Sequence, residues 1–83
     1  MSAVAPNPVT GAASVSVTVG DPQEVRVDVY NVLGQRVMRL HDGLLRANDP
    51  NTLTVGPGLQ SGPYFLRVSG PSFTATRPFV RVR

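Results

Sequence analysis

Glu24-Val25-Arg26-Val27-Asp28-Val29-Tyr30 alternates polar and β-branched residues without a break. Successive side chains of a strand point to opposite faces. This period of two therefore predicts Val25, Val27 and Val29 on an apolar face, with Glu24, Arg26, Asp28 and Tyr30 outward. Upstream, Ser14-Val15-Ser16-Val17-Thr18-Val19 repeats the pattern, with Val15, Val17 and Val19 on one side. Between the two, Gly20-Asp21-Pro22-Gln23 has the chemistry of a turn: proline presets φ and aspartate bonds the backbone ahead of it. The two stretches are predicted to pair as a hairpin with coincident valine faces.

Working outward, Asn31-Val32-Leu33-Gly34 interrupts the alternation, and Gly34 is the residue suited to a positive φ. Gln35 to Leu40 resumes as a strand, but Val37 and Leu40 are three apart, a spacing that predicts a β-bulge or a bend. Residues 41–51 read as a polar irregular loop with Leu44 and Leu45 tucked under the fold. Thr52 to Val55 is a short strand with Leu53 and Val55 inward, and residues 56–63 form a Gly/Pro-rich connection. Tyr64 to Ser69 is a strand with Tyr64, Leu66 and Val68 on one face and Phe65 and Arg67 on the other. After Gly70-Pro71, residues 73–83 close the fold. Val80 and Val82 are expected inward and Phe79, Arg81 and Arg83 outward, with Pro78 marking an edge or a break. Residues 1–13, carrying Pro6, Asn7, Pro8 and Gly11, read as a lead-in with an edge strand, and residues 14–83 as the folded domain. Six to seven short strands with turn signals between them predict an all-β antiparallel sandwich or small barrel.

With 83 residues there is room for one domain and a thin core, and the absence of cysteine removes disulfide staples. The net charge of +3 comes from eight basic residues, all arginine, against five acids. The arginines are scattered and only five aromatics accompany them, which is not the clustered, stacking-rich composition of a nucleic-acid binder. No apolar run approaches the roughly 20 residues of a membrane helix. Met1-Ser2-Ala3-Val4 lacks the basic-then-apolar order of a signal peptide.

The search for chemistry yields little. His41 stands beside Asp42 with no second histidine or cysteine to share a metal, and Asp42 and Asp49 lack the spacing of a calcium loop. Ser61 lies in Gln60-Ser61-Gly62, without the first glycine of a nucleophile elbow. The acids are spread mostly over turns and exposed faces, and so short a sandwich offers no deep cleft in which two carboxyls could divide acid and base roles. No enzyme, metal or cofactor is expected. Tyr30, Phe65 and Phe79 leave open a carbohydrate-binding or spacer module of a secreted polysaccharide-degrading enzyme, although no tryptophan accompanies them.

Four boxes in order carry a family resemblance. Ala5-Pro6-Asn7-Pro8-Val9 matches an opening P-N-P box. Val27-Asp28-Val29-Tyr30-Asn31-Val32-Leu33-Gly34-Gln35-Arg36-Val37 looks like a strand–turn–strand written V-x-V-Y-D-x-x-G-R-x-V. Leu59-Gln60-Ser61-Gly62-Pro63-Tyr64-Phe65-Leu66-Arg67-Val68 matches L-x-x-G-x-Y-x-x-R/K-V, and Ala75 to Arg83 matches a basic, valine-rich terminus. Together they resemble the C-terminal sorting domain of the bacterial type IX secretion pathway, and related boxes occur in the immunoglobulin-like part of flagellar hook-capping proteins. The resemblance implies an immunoglobulin-like β-sandwich on an exported multidomain protein, crossing the periplasm to the cell surface or beyond. It implies as partners the outer-membrane secretion machinery and an upstream cargo domain, and the domain itself is expected to be monomeric. Pro78 departs from the family pattern, in which a basic residue is frequent there.

In physical terms Gly34 and Gly62 read as backbone-geometry positions, and Pro6, Asn7 and Pro8 as a stiff junction that blunts an edge. Arg77, Val80, Arg81, Val82 and Arg83 are the candidates for recognition by the secretion machinery, through pairing of the closing strand with another chain's edge.

Overall fold

The computed structural model describes residue 2, residues 4–71 and residues 73–82. Six strands form: β1 (Ala13–Val17), β2 (Gln23–Asn31), β3 (Arg36–Leu45), β4 (Asn51–Val55), β5 (Gly62–Ser69) and β6 (Thr74–Arg81). There is no helix among the described residues. One sheet pairs β1 with β4; the other runs β3-β2-β5-β6. Every pairing between these strands is antiparallel. The two apolar faces enclose one core, in which Val15, Val17, Val25, Val27, Val29, Val55, Leu66, Val68 and Phe79 are at most 1 % exposed. An all-β immunoglobulin-like sandwich is the result.

The predicted hairpin does not form. Val15 and Val17 are buried as expected, but their strand pairs with β4, while β2 pairs with β3 and β5. Alternation reports which face of a strand is apolar and says nothing about its neighbour. Two valine faces are equally well buried side by side or across a sandwich. The tight Asn31–Gln35 turn commits one edge of β2 to β3 and β5 takes the other, so β1 has no edge left there. Gly20 to Pro22 is thus a crossing between sheets.

Three further features differ from expectation. The loop predicted over 41–51 is strand as far as Leu45, which is buried, whereas Leu44 is 60 % exposed. Two bulges explain the misreading: the β2–β3 register slips between Val27 and Asp28 and again between Val29 and Tyr30, leaving Leu40 and Val37 as extra residues on β3. Period two is lost there, as the spacing of Val37 and Leu40 suggested.

Asp28, expected outward, is only 5 % exposed. It sits on the central strand between Arg39 of β3 and Arg67 of β5, and Arg39 Nε donates to its Oδ1 at 2.9 Å. That hydrogen bond holds the Arg39 guanidinium above its ordinary range. Asp42 Oδ2 lies 3.3 Å from Arg39 Nη1 and extends the pair into a short network.

The closing strand is turned over relative to expectation. Phe79 is 1 % exposed and Val80 is 41 % exposed. The register sets Phe79 opposite Tyr64, Arg77 opposite Leu66 and Ala75 opposite Val68, so the inward set is odd-numbered. A one-residue slip exchanges the two faces of a strand, and a phenylalanine ring removes more apolar area from water than a valine. The stacked rings of Tyr64 and Phe79, 5.5 Å apart, hold that choice. The same turn-over half-buries Arg81 on the Phe79 side instead of leaving it outward.

Candidate functional site

The strand–turn–strand box is built on one side chain. Asn31 Oδ1 accepts from the N–H of Leu33 and from that of Gln35, both at 3.0 Å, and its Nδ2 donates to Gln35 Oε1. Gly34 N–H donates to Asn31 O at 3.1 Å. The turn closes only because Gly34 adopts φ 80°, a conformation that costs a side chain roughly 1–2 kcal/mol. Nothing lies within 4 Å of where a Cβ would stand at Gly34, so the constraint is backbone angle and not space. The turn lifts Val32 and Leu33 into solvent, 62 % and 78 % exposed.

Tyr64 anchors the third box. Gly62, at φ 154°, opens β5, and two residues later the Tyr64 hydroxyl donates to Gln60 O at 2.8 Å. This is the tyrosine corner of immunoglobulin-like sandwiches: a tyrosine near the start of a strand bonding back to the corner that precedes it. It ties the connection over 56–63 to the Tyr64–Phe79 stack. Tyr64→Phe keeps the ring and removes the bond, leaving Gln60 O without its partner. We expect a loss of about 0.5–1.5 kcal/mol. In a domain of this size that lowers Tm by several degrees, about 4–8 °C per kcal/mol. Unchanged thermal unfolding would show that the bond is not used.

The recognition candidates are scattered in environment. Arg77 is half-buried on the inner side of β6, and its Nη1 donates to Thr76 O at 3.1 Å. Arg81 Nε reaches Leu59 O at 3.4 Å, and the side chain borders a depression lined by Leu59, Gln60 and Ser61. Val80 is exposed and Val82 half-buried. Arg83 lies outside the described residues.

The main-chain edge of β6, through which pairing with another chain was expected, is occupied. Val9 N–H donates to Val80 O at 2.7 Å and Val82 N–H donates to Val9 O at 2.8 Å. Pro6, Asn7 and Pro8 carry the chain from one sheet to the other: Ala5 bridges Ser14 of β1, and Val9 bridges Arg81 of β6. Val4 and Val9, in the lead-in, are buried in the same core as the strands.

Sequence reading places Tyr30, Phe65 and Arg67 outward but does not assemble them into one face, and Phe79, named with them, is buried. On the outer face of the larger sheet Tyr30, Phe65 and Pro78 stand in one cross-strand row, and Arg67 and Thr76 in the next. Phe65 is 41 % exposed. Tyr30, Val32, Phe65, Arg67 and the threonines 74 and 76 line a shallow groove of about 410 Å³. The pairing partners of β5 were needed to see this row, because each residue comes from a different strand. Among the described residues, no three His, Asp or Glu side chains converge as a metal-holding group, and His41 Nε2 is engaged with Gly43 O at 3.2 Å.

Comparison with curated proteins and with solved structures gives no significant match. A family model described as "Secretion system C-terminal sorting domain" matches residues 3–81, from the lead-in through the end of β6.

Proposed function

Because the chain belongs to the secretion-system C-terminal sorting domain family, we propose that it is the folded address by which an exported multidomain protein is taken through the type IX pathway. The observation that carries the reading is the extent of the match, 3–81, which covers the whole folded unit and not one turn or strand. On this reading the domain does no chemistry. It offers the outer-membrane secretion machinery a shape and a set of surface groups, while an upstream cargo domain passes through the periplasm to the cell surface or the medium. Arg77, Val80, Arg81, Val82 and Arg83 are the candidates through which that machinery would recognise it.

The test is a reporter placed ahead of the chain in a host that has the pathway. We expect the reporter at the cell surface with the chain and in the periplasm without it. We further expect a variant carrying Arg77→Glu, Arg81→Glu and Arg83→Glu, shown to be folded by circular dichroism, to lose most delivery. Equal surface delivery with and without the chain overturns the reading. Full delivery by the folded triple variant removes the arginines from it.

One observation favours a second reading, a polysaccharide-binding accessory module: the outward row Tyr30–Phe65–Pro78 beside Arg67. Saturable retention on insoluble polysaccharide that is lost with Phe65→Ala would establish it.

A further inference from the structure

The edge of β6 is closed by groups that imitate a strand without being one. Val9 supplies a true main-chain pair, donating to Val80 O and accepting from Val82 N–H. The next ladder position upstream falls beyond Pro8, which has no N–H to give. The Asn7 side chain takes that place. Its Oδ1 accepts from Val80 N–H at 3.0 Å, and its Nδ2 reaches Pro78 O at 3.5 Å. A carboxamide has the donor and acceptor of a peptide group, and Pro78 presents a carbonyl but no N–H, so one amide suits what the edge offers. Arg77 Nη1 covers the next carbonyl, Thr76 O. Since ladder groups alternate between the two sides of a strand, the outward-pointing groups from Thr76 O to Val82 N–H are met by this chain itself.

The cover is thin between its two anchors, the main-chain bonds of Ala5 with Ser14 and those of Val9 with β6. Ala5, Pro6, Asn7, Pro8, Thr10, Gly11 and Ala12 are all exposed; Val9 alone, at 0 %, is sunk between the sheets. Its seat is Gly56, at φ 117°, where a Cβ would stand 2.8 Å from Val9 Cγ1 and 2.6 Å from Gly11 O. The hollow is thus shaped for one small β-branched side chain carried on an extended backbone running parallel to β6.

We infer that residues 5–9 form a displaceable strap over a strand-accepting edge, and that the partner this edge fits is an extended segment of another protein chain. That segment runs parallel to β6 and presents a valine-sized β-branched residue to the Gly56 hollow. Its main chain replaces both Val9 and the Asn7 amide. The strap is itself the template for this occupant, since it is the segment seated there. The inference rests on the geometry of the edge and not on the sorting role, so it can fail while that role stands, and the reverse.

The experiment is amide hydrogen exchange on the full chain, with the strap's own sequence, Ala-Pro-Asn-Pro-Val-Thr-Gly, added as a separate peptide probe. In the unaltered chain we expect Val80 and Val82 N–H to be protected by their bonds to Asn7 and Val9. In the variants Asn7→Ala and Asn7→Ala/Val9→Ser we expect Val82 N–H to exchange progressively faster, by at least about tenfold in the double variant, while Leu66 and Val68 stay protected. The peptide should restore protection of Val82 saturably in the double variant, and a peptide with serine in place of its valine should not. Collective loss of protection, Leu66 and Val68 included, means that the strap is an integral part of the core and overturns the inference. Persistent protection of Val82 in the double variant does the same, as does a lack of rescue or equal rescue by the serine peptide.

Discussion

Val27→Asp should abolish the folded state, giving a chain with no cooperative thermal transition and little β-sheet circular dichroism. Val27 is 0 % exposed at the centre of the larger sheet, opposite Val68 on β5 and His41 on β3. An aspartate there would face the buried valines of the other sheet. His41 offers no ready rescue, since its Nε2 is already engaged by Gly43 O. The effective cost of burying an uncompensated carboxylate is several kcal/mol. Folded domains have a margin of about 5–15 kcal/mol, and so short a chain belongs at the lower end. Val32→Asp is the control: Val32 is 62 % exposed in the Asn31–Gly34 turn, and the same change of chemistry there should leave melting nearly unaltered. A cooperative transition in the Val27 variant close to that of the unaltered chain would refute the placement of the β2 valines.

The reason Val27 could be chosen from sequence alone also marks what sequence could not supply. A face is a local property. Val25, Val27 and Val29 are inward because period two and β-branching act within one strand, and the structure buries all three. An edge partner is a long-range property, so the same valines gave no warning that β1 would cross to the other sheet. Where the local signal was itself ambiguous, reading failed for a different reason. Two bulges on β3 broke the period that would have extended the strand to Leu45. In β6, one face holds Ala75, Arg77, Phe79 and Arg81 and the other Thr74, Thr76, Pro78 and Val80, and neither is purely apolar. Only pairing with β5, and the ring of Tyr64 in particular, decides between them. Asp28 belongs to a third kind. Charge in an alternating strand marks the solvent face, but a carboxylate on a central strand is covered when an arginine stands beside it. The four family boxes were legible because they are contiguous stretches of sequence. The strap on β6 was not, because Asn7 and Val80 meet only once both sheets are assembled.

The inward Phe79 of β6 changes how the recognition candidates must be tested, and its removal is the other large expected effect. Phe79→Ala should lower stability by about 3–5 kcal/mol, the usual cost of removing a fully buried phenylalanine ring. The ring lies in the core against Tyr64, 5.5 Å away, and the hollow it leaves would be walled by strands of both sheets. For a domain of this size that lowers Tm by well over about 10 °C, and it takes up most or all of the folding margin. Val80→Ala, one residue on, should cost less than about 1 kcal/mol, because Val80 is 41 % exposed and its hydrogen bonds to Asn7 and Val9 are made by the main chain. The reverse ranking in thermal melts would mean that the valine face is the buried one after all. Removing residues 78–83 from a reporter fusion, the obvious test of an address, deletes Phe79 along with the arginines. Loss of delivery would then follow from unfolding whether or not anything reads Arg81 and Arg83. Val80→Ala and the arginine reversals leave the ring in place, so loss of delivery in those variants, with melting preserved, is what would separate recognition of the closing strand from the stability of the domain that displays it.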